Sequence, residues 1–493
     1  MLHKSTGSRI LVLLACSVSI LLDTVAHAQD STETGAAQPP ASMPLPQHAM
    51  RSGLIESNSR PVAAQSGRPD YAPSSGFGSR ETTPFPIPGQ PARNLLPPGE
   101  IEPAEDPGLF RRLPHGFRDG GITLEYIYTG ETFTKATGGL NNRHVTNYRS
   151  NLDIVAIVDT LRMGWWNGGR IFIYGENLSG KPISTSDVGD TQLFSNLDST
   201  ISDTERPNFT TIAEYWYEHS LLDNLLRFKI GKQDANADFA FTDLGGEFVN
   251  SSFGLVPTVP LPTFPSQALG VASMMQLTDT WGLSAGIYDG TPADGPQGVR
   301  WGFDTLGHNG AISLLQFDWQ PQFGALKNLP HTSRLGFWHH SDKYQWSEIA
   351  VGPGRDFVQN YGMWYIADQM VYQENDQDDQ GLGVFFQFSW APANRNEITE
   401  YYGGGLVYKG LLPNREEDYL GVGFANILFS PAARTVAAAN SESLGTNETA
   451  IEVFYRYQCS AYFVLQPDVQ FIASPSGSFK DALLPGVRFE ILL

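Results

Sequence analysis

Cysteine is nearly absent from these 493 residues: there are two, and Cys16 falls in an N-terminal leader. Removal of that leader would leave Cys459 alone, so no intrachain disulfide is available and a disulfide-stapled scaffold is excluded. Positive charge is also scarce, with 32 Lys and Arg against 52 Asp and Glu and a formal net charge of -20. Nucleic-acid phosphates need a basic face, so a nucleic-acid partner is not expected. After the leader no stretch approaches about twenty consecutive apolar residues, which rules out a spanning helix but not a spanning barrel.

Signatures of chemistry are missing too. The ten histidines form no HExxH and no Cys/His cluster. His339 and His340 are adjacent, so a strand would send them to opposite faces. No GxSxG elbow occurs. Gly175 to Lys181 has the spacing of a phosphate loop, but Pro182 stands where a hydroxyl is required. Asp376, Asp378, Gln380 and Gly381 begin like a calcium loop, yet its closing position is Gln387. Glu214 and Glu218 would lie about 13 Å apart along a strand, beyond the separation that paired-carboxylate hydrolysis needs. The sequence therefore predicts no cofactor, no metal and no enzymatic activity.

The chain begins with Lys4 and Arg9, an apolar run from Ile10 to Leu22, and Ala26-His27-Ala28. This predicts a secretory signal peptide over 1–28, cleaved after Ala28. A lipoprotein box ending at Cys16 fits less well, because the apolar run continues past it. Residues 29–118 hold 16 of the 33 prolines without sustained periodicity, which predicts a disordered proline-rich linker. The third region, 119–493, changes rhythm.

Here apolar residues recur at every second position. Ile122, Leu124, Tyr126 and Tyr128 alternate with Thr123 and Glu125, and Leu152, Ile154, Ala156 and Val158 with Asn151 and Asp153. The same phase places Ala213, Tyr215 and Tyr217 opposite Glu214 and Glu218; Leu226, Phe228 and Ile230 opposite Arg227 and Lys229; and Leu315, Phe317 and Trp319 opposite Gln316 and Asp318. Near the end, Ile451, Val453, Tyr455 and Tyr457 oppose Glu452 and Arg456; Phe463, Leu465, Val469 and Phe471 oppose Gln466, Asp468 and Gln470; Val487, Phe489, Ile491 and Leu493 oppose Arg488 and Glu490. With weaker candidates at 169–177, 267–276, 281–288, 333–340, 360–372, 381–390, 401–409 and 419–428, the total is about sixteen strands, an even number within the range of bacterial barrels.

The fold class expected is all-β: a transmembrane antiparallel barrel with apolar side chains toward lipid and charge toward a wet lumen. If the last strand ends in the periplasm, connections 178–208, 233–266, 289–311, 341–360 and 429–449 fall outside and are long, whereas 220–225, 277–280 and 459–461 fall inside and are short. Segments 159–168, 320–332 and 410–418 break that rule. Segment 233–266 combines four acids with Phe239, Phe241, Phe248 and Phe253 and ends in prolines. It is expected either to enter the barrel or to fold over its mouth as a lid.

Several blocks resemble the OprB-type carbohydrate-selective porin family. They are Trp165 to Gly169; IGKQDANADF from Ile230; FVNSSFG from Phe248; Ala268-Leu269-Gly270; Gly286 to Gly290; and, most extensively, GMWYIADQMVYQ, QGLGVFFQFSWAPANRN and YYGGGLVYKGLLPNREEDYLGVGF between Gly362 and Phe424. The resemblance spans about 120–493 and implies a sixteen-stranded outer-membrane barrel open to sugars such as glucose, with loops folded inward. The chain departs from it in ending on Leu493 where an aromatic is usual, and in its proline-rich extension.

By strand parity the inward residues are Arg149, Asn151, Asp153, Glu214, Arg227, Lys229, Glu452, Arg456, Asp468, Gln470, Arg488 and Glu490, with Trp216 and Trp338 as inward aromatics. Both charge signs are present, which suits gripping hydroxyls without strong ion selectivity. The expected function is passive, carbohydrate-selective diffusion of glucose-like sugars through a charge-lined constriction. The partners would be sugars as solutes and outer-membrane lipid; the oligomeric state stays open, with a monomer plausible. The acidic balance leaves a general or cation-preferring porin as the alternative, and a soluble periplasmic carbohydrate-binding β-protein as a third reading.

Overall fold

Period-two sequences leave every strand with one apolar face and a full set of backbone donors and acceptors, and a closed sheet satisfies both at once. The computed structural model describes residues 120–200, 208–290, 301–308, 310–320, 329–344, 357–374 and 379–493. The chain divides into units Met1–His48 and Ala49–Leu493, and every described residue belongs to the second. The signal-peptide and linker segments, 1–28 and 29–118, lie outside the described residues, as do Asp376 and Asp378.

Seventeen strands form one antiparallel sheet: β1 Ile122–Lys135, β2 Thr137–Gly139, β3 Val145–Asp159, β4 Gly169–Gly180, β5 Asn208–Leu221, β6 Leu226–Gln233, β7 Ala268–Thr278, β8 Trp281–Asp289, β9 Ala311–Trp319, β10 His331–Tyr344, β11 Phe357–Gln373, β12 Gly381–Trp390, β13 Ile398–Lys409, β14 Tyr419–Phe429, β15 Asn447–Ser460, β16 Phe463–Ala473 and β17 Lys480–Leu492. Short β2 follows β1 after Ala136 and pairs with β17, so it extends β1. The barrel has sixteen staves. Each pairs with its chain neighbour, and β17 closes on β1 through Ile127↔Leu492 to Phe133↔Gly486. None of the described helices is long and apolar enough to cross a membrane; the crossing is made by strands.

Burial is inverted relative to a water-soluble protein. Ile154, Ile230, Val271, Leu406, Phe424 and Val453 are among the exposed apolar side chains, while Glu131, Arg149, Glu214 and Glu452 are fully buried. Outward aromatics stack in pairs near strand ends, Trp281 with Trp319 at 5.6 Å and Trp165 with Trp166 at 5.7 Å. Amphipathic rings of this kind suit the boundary between hydrocarbon and headgroups.

All sixteen sequence-predicted strands are present, several of them longer than the pattern implied. β3 starts at Val145 rather than at Asn151, and the external segment 341–360 shrinks because β10 runs to Tyr344 and β11 begins at Phe357. One phase assignment is corrected. Ala213 is buried inside rather than lipid-facing, because the β4–β5 register slips from Tyr174↔Glu214 to Gly175↔Ile212. The extra residue of this bulge turns Ala213 inward beside Glu214.

Candidate functional site

The lumen is occupied by two connections that turn inward, residues 181–198 of the connection after β4 and residues 234–267 between β6 and β7. The second is buried along nearly its whole length, so of the two expectations for 233–266 the inserted loop is the one observed. Its aromatics supply the reason. Phe248 packs on Phe253 at 4.3 Å, on wall residue Phe454 at 4.9 Å and on Phe385 at 5.6 Å, and Phe239 meets Tyr288 edge-on at 6.3 Å. Wall glycines leave room for them: a Cβ at Gly423 would come within 2.7 Å of both Phe248 and Phe253, and one at Gly383 within 2.6 Å of Leu244. Burying such rings in the lumen releases the water that would otherwise cover them, which outweighs the cost of ordering the loop.

Polar groups tie both loops to the wall. In the first loop the Asp198 carboxylate accepts N–H bonds from Ile183 at 2.9 Å and Ser184 at 2.7 Å, and it pairs with Arg149 at 2.7 Å. Burial pushes the Asp198 carboxyl up, with the Arg149 guanidinium pulling the other way. In the second loop Asp234 caps the turn Ala235–Ala237 through the Asn236 N–H at 2.8 Å and also accepts from Phe264 N–H. Asp243 reaches Arg334 on β10 at 2.6 Å, and Glu247 reaches Arg456 at 3.2 Å.

Twelve charged or amide residues singled out by parity, and Trp216, all project inward. Arg488 and Arg149 flank Glu131, at 2.8 Å and 2.9 Å. Arg488 also donates to Asn196 of the first loop at 2.7 Å, and the Ser195 hydroxyl donates to Glu131. Arg456 pairs with Glu490 at 2.8 Å. Glu452 accepts the N–H groups of Val249 and Asn250 at 2.6 Å and 2.8 Å, and Gln470 donates to the Phe194 carbonyl at 2.7 Å. Asp468 accepts from Gln470 at 3.3 Å.

A second group lies on β3 to β6. Asn151 donates to Asp153 at 2.6 Å, and the Tyr174 hydroxyl joins Asp153 to Glu176. Glu214 accepts from Trp216 Nε1 at 2.9 Å and from Asp234 N–H at 3.1 Å. The Trp216 ring stacks on Phe172 of β4 at 4.7 Å and carries the Lys229 ammonium of β6 at 4.5 Å. Lys229 pairs with Asp238 at 2.8 Å, and Arg227 with Glu218 at 3.4 Å. Trp338, the other inward aromatic, lies in the apolar cluster that packs the second loop.

Sequence reasoning missed Glu131, the anion between the two arginines. Its signal was the inward phase Thr123, Glu125, Ile127, Thr129, Glu131, which continues past the point where the apolar face stops being clean. It also missed Arg334, which lies within 4 Å of Asp243, Asp368 and Asp318. The residues that complete these clusters from the loops, Ser195, Asn196, Asp198 and Asp243, have no strand phase to reveal them.

Residues 143–493 match the model of the carbohydrate-selective porin, OprB family. Porin B of Pseudomonas aeruginosa is 22% identical over 399 residues, covering 75% of this chain and 87% of that protein. A putative porin of Acinetobacter baylyi, QuiX, is 23% identical over 399 residues, covering 74% and 89%. Among solved structures, Pseudomonas putida OprB at high pH superimposes with a TM-score of 0.66 at 22% identity, covering 76% of this chain and 95% of that one, which supports the barrel fold. An inverted, closed barrel with charged loops folded into its lumen and a family match over most of its length leads to one assignment: the chain belongs to the OprB family of carbohydrate-selective porins, transport proteins of the outer membrane.

Proposed function

We propose that this porin passes glucose-like sugars by passive diffusion, and that its narrowest part lies where the two inserted loops face β1 and β3 to β6. The observation that carries this reading is a set of polar atoms in the barrel interior with no hydrogen-bond partner among the described residues. They are Thr129 Oγ1, Arg149 Nη2, Asn151 Oδ1, Glu176 Oε1 and Glu214 Oε1. Thr129 and Asn151 are directly opposite in register, and Glu176 lies opposite Asp153. A donor and several acceptors on neighbouring staves match sugar hydroxyls, which donate and accept, and the mixture holds a solute without trapping it.

The thirteen wall residues then divide into two roles. Arg149, Asn151, Asp153, Glu214, Trp216, Arg227 and Lys229 form the solute-facing side, with Trp216 supplying a stiff apolar edge between Phe172 and Lys229. Glu452, Arg456, Asp468, Gln470, Arg488 and Glu490 form the side that holds the loops. In this scheme 1–28 is a cleaved signal peptide, 29–118 a linker and 119–493 the porin domain.

Planar-bilayer recording tests the function. The purified protein should give a small conductance that falls as glucose is added. An unchanged current at high sugar together with strong cation preference would replace this reading with a general cation-preferring porin.

A further inference from the structure

Two carboxylates on one strand hold both inserted loops, and they hold them by the backbone. Glu448 and Glu452 are four residues apart on β15, so both project inward, and both are fully buried. Glu448 accepts the N–H groups of Thr191 and Gln192 in the first loop, each at 2.8 Å, and that of Ser476 at 2.6 Å. Glu452 does the same for the second loop, taking Val249 N–H on one oxygen and Asn250 N–H on the other. Each carboxylate therefore spans two consecutive peptide groups.

The loops are also joined to each other at this place. Ser251 N–H donates to the Leu193 carbonyl at 3.0 Å. Gln470, opposite Glu452 on β16, donates to Phe194 of the first loop at 2.7 Å and accepts from the Asn250 side chain of the second at 3.1 Å. The inner layer is thus one cross-linked body, held on β15 and β16 by these bonds and steadied on β3, β5 and β6 by Asp198–Arg149, Asp234–Glu214 and Asp238–Lys229.

We propose that Glu448 and Glu452 are positioning residues that set the pore's selectivity: they do not touch solute, but fix where the joined loops stand within the lumen. Charged acceptors suit this task. A carboxylate offers two equivalent oxygens to two N–H groups and bonds them more strongly than a neutral amide does. Glutamine at either position would present an NH2 to a backbone N–H and leave one buried donor unsatisfied. Because the bonds run to main chain, the distance from β15 is held whatever side chains the loops carry.

The inference rests on the sugar-selective reading above, and its test separates the two. Glu448→Gln and Glu452→Gln are made singly and together in the full-length protein, and heat-modifiable gel migration confirms that each barrel is folded. In bilayers, each single variant should raise unitary conductance by about twofold and weaken block by glucose about tenfold, the effect of losing one charge-assisted hydrogen bond. Because the loops are joined, the double variant should fall short of the product of the single effects. External protease should cleave within 181–198 or 234–267 in the variants but not in the native protein. Asn250→Ala, which leaves both carboxylates and the Ser251–Leu193 bond in place but removes the tie to Gln470, should bring the double variant closer to the product of the single effects. Native conductance, block and protease resistance in a folded Glu448→Gln and a folded Glu452→Gln would overturn the proposal. If the native channel is not blocked by glucose, the sugar reading fails, while conductance and proteolysis still decide whether the carboxylates hold the loops.

Discussion

Arg488 on the last strand and Glu131 on the first lie directly opposite one another in register, and their side chains meet inside the barrel at 2.8 Å. Glu131 is also directly opposite Arg149, and Arg488 opposite Gln466. The seam that closes the barrel is therefore crossed by an ionic row spanning β17, β1 and β3, with the neutral Gln466 of β16 beside it. The chain's two ends find each other through this row as well as through backbone bonds, and the first loop adds Ser195, Asn196 and Asp198 to it.

Removing the central anion should be the costliest change in this row. Glu131→Gln leaves Arg149 and Arg488 facing each other in a buried site, a loss of about 3–5 kcal/mol for a broken buried pair. Arg488→Met should cost less, since Glu131 keeps Arg149 and the Ser195 hydroxyl. The temperature at which compact gel migration is lost should fall in the order native, Arg488→Met, Glu131→Gln. Equal temperatures for Glu131→Gln and native protein would show that the row adds nothing to closure.

The contrast between wall and loops explains how much the sequence revealed. Strand phase placed every one of Arg149, Glu452 and Arg488 inside, because a period of two admits only two faces and one of them carries Ile, Val and Phe. It failed at Ala213, where one bulged residue reverses the phase, and it stopped short at Glu131, where Gly130 and Thr132 interrupt the apolar face. The ties made by Glu452 and Gln470 were not legible, since their partners are peptide groups of Val249, Asn250 and Phe194, and any residue type supplies those. The entry of 234–267 into the lumen could be narrowed to two outcomes from its phenylalanines; choosing between them needed the space left by Gly383 and Gly423 on strands far away in the chain.

Loop docking should weaken as pH rises. Asp190 in the first loop is pushed up to about 8 by burial, with Glu448 and Asp198 as neighbouring negative charges. One of its oxygens accepts Phe194 N–H at 2.7 Å, and the Ser184 hydroxyl lies beside the carboxyl. A carboxyl raised in the folded state favours folding fully at low pH. That contribution declines as pH climbs from the unfolded value of about 3.9 through the folded one. Bilayer current should be steady at about pH 6 and noisier, with larger openings, at about pH 9. Asp190→Asn should stay steady across the range.

The outer face should resist charge in a depth-dependent way. Ile154 lies midway along β3, 46% exposed, with Leu152 and Ala156 on either side of it on the same face. Ile154→Arg should cost about 2–4 kcal/mol in lipid, the value for a cation near the bilayer midplane. Thr146→Arg, near the external end of the same strand, should cost about 1 kcal/mol or less. Folding into vesicles, followed by denaturant titration of the two variants, checks both values, and equal costs would contradict the lipid-facing assignment of β3.

Arg334 provides the sharpest test of charge balance in the lumen. Its guanidinium meets Asp243 at 2.6 Å, Asp368 at 2.8 Å and Asp318 at 3.8 Å, and it lies over the Phe241 ring at 4.0 Å. One cation thus holds the tip of the second loop against β10 and β11 while offsetting three carboxylates. Arg334→Ala removes the offset, so the reversal potential in a salt gradient should shift toward cation preference. The same change should loosen the loop tip, because Asp243 and Phe241 lose their common partner while Asp368 keeps bonds from the Thr242 hydroxyl and Leu244 N–H. Conductance should therefore rise along with cation preference. Asp243→Asn separates the two effects: it weakens the tie while removing one negative charge, so conductance should rise without the selectivity shift. An Arg334→Ala channel with native selectivity would mean that the permeation path does not pass these acids, and would place it wholly on the β1 and β3 to β6 side of the lumen.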